Sequence, residues 1–181
     1  MFKPDLKLKP NVAKAGFTLV ELLTVMAIIF VLSVMAISNY HQGNRQVILD
    51  MQANRFAQDL RRMQEWAMAA HQLGGVPKHG YGVYVSAVSN SYILYADNNG
   101  NGRYDGGLEM QETIPLDKNV EISSCNPNPA SVDYMVPSPI TKINGNDAST
   151  VQTVTFWIKT DHTVTRTVTA NKAGLIYVKQ P

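Results

Sequence analysis

Only one cysteine, Cys125, occurs in the 181 residues, so no disulfide can close within the chain. The four histidines, His41, His71, His79 and His162, are scattered without metal-ligand spacing, which leaves a zinc site unsupported. Catalytic signatures are missing as well. There is no Gly-x-Ser-x-Gly, no phosphate-cradling glycine loop and no His-Glu-x-x-His, and Cys125 sits among serine and proline without an adjacent histidine. Strong net charge is absent too. The formal charge is +2, but residues 1–16 hold Lys3, Lys7, Lys9 and Lys14 against Asp5. Without that segment the chain has 12 basic and 13 acidic side chains, so bulk charge gives no case for nucleic-acid binding.

What the chain does have is a long apolar run. Phe17 to Ile37 reads FTLVELLTVMAIIFVLSVMAI, 21 residues with one charge, Glu21. As a helix it extends about 31 Å at about 1.5 Å per residue, the thickness of a bilayer's hydrocarbon core. The lysines ahead of it predict a cytoplasmic N-terminus, with the remainder outside. A secretory signal peptide fits poorly, because its apolar region is shorter and ends in a small-x-small cut site. An ordinary signal anchor has no use for Glu21. A carboxylate in hydrocarbon costs a few kcal/mol and marks a pairing function. A cut before Phe17 would supply the partner, since the new α-amine is a cation at the start of the helix.

The stretch Lys14-Ala15-Gly16-Phe17-Thr18-Leu19-Val20-Glu21-Leu22-Leu23 resembles the class III signal of type IV pilins and type II secretion pseudopilins. The shared pattern is a basic leader ending in Gly, then Phe, then an apolar run with Glu at its fifth position. The resemblance implies that a prepilin peptidase removes residues 1–16 by cutting after Gly16 and methylates the new N-terminus at Phe17. It implies that Glu21 pairs with a neighbouring subunit's amine during assembly. The implied partners are that peptidase, other pilins and the inner-membrane assembly platform. The implied location is the bacterial inner membrane, single-pass, with the head in the periplasm or outside. Many pilins carry a helix-kinking proline just past the apolar run, where this chain has Ser38 and Gly43.

Beyond the run, Leu49, Ala53, Phe56, Leu60, Met63, Ala67 and Ala70 recur at spacings of four and three. That stripe predicts an amphipathic helix over 38–73, packed on a sheet and ended by Gly74, Gly75 and Pro77. From Tyr81 the pattern changes to strands. They are expected at Tyr81–Val88, Tyr92–Ala96, Glu112–Leu116, Val120–Ser123, Tyr134–Val136, Val151–Lys159, Thr163–Ala170 and Leu175–Lys179. Cys125–Ser138, with Pro127, Pro129 and Pro137, reads mostly as loop. Helix first and antiparallel strands after it make an α+β class, with a β-rich head over 74–181. This part is similar to the GspH/FimT group of minor pilins and pseudopilins. The resemblance rests on the helix stripe, on Tyr92-Ile93-Leu94-Tyr95-Ala96-Asp97 with its Asn/Gly loop, and on the late Val154-Thr155-Phe156 strand.

Two further constellations bear on function. Asp97-Asn98-Asn99-Gly100-Asn101-Gly102 fits the first half of a calcium loop, with Asp97, Asn99, Asn101 and Asp105 as candidate Ca2+ ligands. Position twelve is Leu108 rather than Glu; Glu109 follows. The competing reading is an Asn-Gly hairpin turn. Residues 140–181 carry a local +3 from Lys142, Lys159, Arg166, Lys172 and Lys179 against Asp147 and Asp161. A solvated strand face explains that excess. The Arg-rich Gly motif of DNA-binding FimT-like pilins is not matched at Ala173-Gly174-Leu175-Ile176-Tyr177. The sequence therefore supports a structural subunit of a type IV pilus or secretion pseudopilus. A DNA-binding minor pilin is the alternative, and a membrane-anchored enzyme is a weaker one.

Overall fold

The structure, a computed structural model, describes residues 16–137, 140–145 and 151–179, apart from the side chains of 36–43. The leader lysines lie outside these residues. The backbone forms one helix, α1 (Leu19–Met68). Residues up to Gln42 group as one compact unit and those from Gly43 as another.

In the N-terminal unit every described side chain of α1 through Met35 is exposed, apolar ones included. A helix apolar all round is built for burial in lipid or protein rather than for water. Among the described residues no helix is long and apolar enough to cross a membrane.

In the second unit α1 turns amphipathic. Leu49, Ala53, Phe56, Leu60, Met63 and Ala67 are at most 1% exposed, so the four-three stripe is the buried face. The helix ends at Met68, earlier than the expected 73. Ala70 takes a positive φ of 46°, which ends the helical register before the glycines are reached. A small ribbon follows, β1 (Gln72–Leu73) with β2 (Val76–Pro77).

Two antiparallel sheets pack with α1 around one core. The first has the order β5-β4-β3-β7-β8, from β3 (Gly80–Val85), β4 (Ser91–Asp97), β5 (Met110–Pro115), β7 (Ala130–Met135) and β8 (Thr141–Ile143). The second has the order β11-β10-β9-β6, from β6 (Val120–Asn126), β9 (Val151–Ile158), β10 (Asp161–Asn171) and β11 (Ile176–Lys179). The expectation of loop over Cys125–Ser138 is corrected here. Cys125 and Asn126 finish β6, and β7 lies inside its sheet, hydrogen-bonded to β3 and β8. The prolines punctuate rather than forbid: Pro127 and Pro129 lie between β6 and β7, and Pro137 follows β7, so no ladder donor is lost within either strand.

Phe56 ties the three layers together. Its ring meets Tyr92 of β4 edge-on at 4.9 Å and Phe156 of β9 at 5.4 Å. Polar ties hold the helix in register. The Tyr92 hydroxyl donates to Asp59 Oδ2, Arg61 donates to the Ile176 carbonyl, and Arg166 of β10 pairs with Asp50.

Candidate functional site

The start of α1 is organised by its own side chains. Thr18 stands at the N-cap, and its Oγ accepts a hydrogen bond from the Glu21 amide at 3.3 Å. Glu21 Oε2 receives the Thr18 amide and hydroxyl, each at 3.4 Å. This is a capping box, Thr-x-x-Glu, which satisfies amides that the first helical turn leaves unpaired. Phe17 is 84% exposed, and nothing lies within 4 Å of a Cβ built on Gly16. The peptide bond between them is therefore in open space, one turn from the carboxylate.

In the head, the 98–109 segment connects β4 to β5. Asp97 is its hub. Its Oδ1 accepts the amides of Asn99 at 3.0 Å and Gly100 at 2.7 Å, and its Oδ2 accepts that of Gly102 at 2.7 Å. Gly102, at φ +71°, takes the left-handed bend that this closure requires. Asn99 and Asn101 Oδ1 accept the amides of Asn101 and Arg103, and both their Nδ2 groups donate to Asp105 Oδ2. Glu109, which follows the twelve-residue pattern, turns in to accept the amides of Asn98 and Asp105.

Alternation thus brings Asp97, Asn99, Asn101 and Asp105 together as the motif suggested, with Glu109 added. It presents amide N–H groups, not oxygens, to Asp105. The Asn amides cannot be reversed without turning N–H against backbone N–H. Among the described residues no three His, Cys, Asp or Glu side chains converge closely enough to hold a metal. In this form the loop is held closed by hydrogen bonds among its own groups.

Sequence reasoning missed what lies beneath the loop. Tyr95, Gly82 and Asp133 form one register row across β4, β3 and β7, on the face turned away from α1. The loop folds back on that face. Tyr104 packs on Tyr84 and Tyr95, at 4.9 and 5.5 Å, and its amide donates to Ser131 Oγ. Asp133 is wholly buried, and among the described residues neither of its carboxylate oxygens has a hydrogen-bond partner. Burial, then the nearby Asp97, pushes its carboxyl up to about 7. Two absent side chains make the room. A Cβ on Gly80 would stand 2.2 Å from Asp133 Oδ2, and one on Gly82 would stand 2.6 Å from the Tyr95 hydroxyl oxygen. The row became visible only once the strand register was known, because Asp133 fell in the stretch read mostly as loop, just ahead of the strand expected at Tyr134–Val136.

The other singled-out groups are structurally engaged. Cys125 is buried, and burial pushes its thiol up, away from the reactive thiolate. His71 stacks on Trp66 and His162 on Trp157. Arg166, from the basic C-terminal stretch, is 7% exposed and committed to Asp50. Duplex DNA is therefore expected to bind the full chain weakly or not at all at physiological salt. A sub-micromolar affinity that disappeared on replacing Lys172 and Lys179 by Ala would favour the DNA-binding alternative.

Residues 12–37 match the family model described as the prokaryotic N-terminal methylation motif. No curated protein and no solved structure matches the chain. The matched segment spans the end of the leader, Gly16, Phe17 and Glu21, and it identifies the chain as one that carries the N-terminal signal of type IV pilin and pseudopilin precursors.

Proposed function

We propose that this protein is a non-catalytic structural subunit, a minor pilin or pseudopilin of the GspH/FimT kind. Prepilin peptidase cuts it between Gly16 and Phe17 and methylates Phe17. Residues 17–37 hold it in the inner membrane, N-terminus inside, until it joins a type IV pilus or a type II secretion pseudopilus. The observation that carries this reading is the coincidence at one place of the methylation motif, an accessible Gly16–Phe17 bond, and a lone carboxylate in the first turn of a helix whose apolar side chains find no cover. Such a helix gains by burial in lipid first and among neighbouring subunits afterwards.

Native protein is expected to begin at Phe17, and Gly16→Val to accumulate as uncut precursor. N-terminal sequencing decides the matter: a chain that still began at Met1, or that began after Ile37, would overturn the proposal. Deleting the gene and scoring surface pili, protein secretion and DNA uptake in parallel assigns the machine, because loss of one phenotype alone selects among them.

A further inference from the structure

A carboxylate sealed from water without a hydrogen bond or a cation is far more costly than a neutral carboxyl group. Asp133 is wholly buried with its carboxylate oxygens unbonded among the described residues, Lys142 is its neighbouring cation, and the 98–109 segment lies over the same sheet face, with Tyr104 on Tyr95 and Ser131. The charged and titratable groups that face it are Tyr95 and Asp97 from β4, Glu109 from the loop and Lys142 from β8; β3 contributes only Gly80 and Gly82. Two of those neighbours are carboxylates. Both have their oxygens committed to loop amides, and both oppose a negative charge on Asp133.

We propose that Asp133 is a proton-operated latch for the 98–109 loop: carrying its proton it lets the loop close on the sheet, and ionised it drives the loop off. Opening the loop breaks the Tyr84–Tyr104 and Tyr95–Tyr104 contacts and the Tyr104–Ser131 hydrogen bond. The sign follows from linkage. The carboxyl sits above its ordinary 3.8, near 7, when the loop is closed. The closed form therefore keeps a proton that the open form gives up. Closure is strongest in acid, weakens as pH rises from about 4 to about 7, and stays weak above that. The latch does not depend on the filament reading.

Amide exchange of the full chain in detergent micelles, corrected for the intrinsic pH dependence of exchange, tests it. Protection over 97–109 is expected to fall about tenfold or more between pH 6 and 8.5, while protection over 49–63 in α1 holds. In Asp133→Asn the 97–109 value should not change with pH. In Lys142→Gln, which removes the cation nearest the latch, the fall should move to higher pH; this variant keeps the test open if Asp133→Asn does not fold. The same fall in Asp133→Asn, no fall in the native sequence, or full protection restored at pH 8.5 by millimolar calcium would each overturn the latch.

Discussion

Glu21→Val protein is expected to be cut after Gly16, to remain in the membrane fraction, and to be missing from sheared filaments and from crosslinks to other pilins. The membrane step should not suffer. A carboxylate near the centre of a bilayer opposes insertion by roughly 2.5–3.5 kcal/mol, less toward the edge where Glu21 lies, and Val removes that cost. On the proposed reading assembly should fall at least tenfold, because the charge proposed to meet the incoming subunit's amine is gone.

The capping box complicates the test, since Glu21 also closes the first turn of its own helix. Losing that role costs about 1 kcal/mol and could fray the N-terminus. Glu21→Gln separates the two roles. Gln keeps a capping oxygen but carries no charge, so it too should fail to assemble. Wild-type assembly by Glu21→Gln, with failure by Glu21→Val, would assign Glu21 to the cap alone. Normal assembly by both would leave the segment an anchor with a pilin-like sequence.

The second large effect is on folding. Phe56→Ala should destabilise the head by about 3–5 kcal/mol, because the ring fills the junction of α1, β4 and β9 and few neighbours can collapse into its place. For a head of this size that corresponds to a melting temperature lower by roughly 10 °C. Met51→Ala, on the same helix but 64% exposed, should stay within about 0.5 kcal/mol of the native sequence. Denaturation of both variants in the same detergent checks the pair. A Phe56→Ala loss below about 1 kcal/mol would mean that the helix is not the keystone between the sheets.

The parts legible in the sequence were those set by short-range repetition. The α1 stripe from Leu49 to Ala67 is buried at each position because a helix returns the same face every three or four residues whatever it packs on. The calcium-like motif correctly gathered Asp97, Asn99, Asn101 and Asp105, because the alternation of side chains is local. What those side chains do was not legible. Whether an amide turns its oxygen or its nitrogen inward depends on which backbone groups compete for it. Ala70 continued the stripe on paper yet takes a left-handed backbone. Strand β7 was hidden by prolines that lie just outside it. The Asp133 row needed the register of three strands whose sequence positions are far apart.

The order in which the chain visits its two sheets has a consequence for the order of folding. It lays down β3, β4 and β5 in one sheet, crosses to leave β6 in the other, returns for β7 and β8, and only then supplies β9 to β11. β6 meets its one ladder partner more than twenty residues after it ends. Taken from the N-terminus, the chain supplies all five strands of the first sheet by Ile143 and completes the second only with β9 to β11. Until β9 arrives, β6 is tied to the earlier strands by the Ser89–Ile122 bridge and lacks its ladder. A chain that stopped after Ile143 would hold the five strands of the first sheet but leave β6 without its ladder partner β9, an open edge for proteolysis or chaperones.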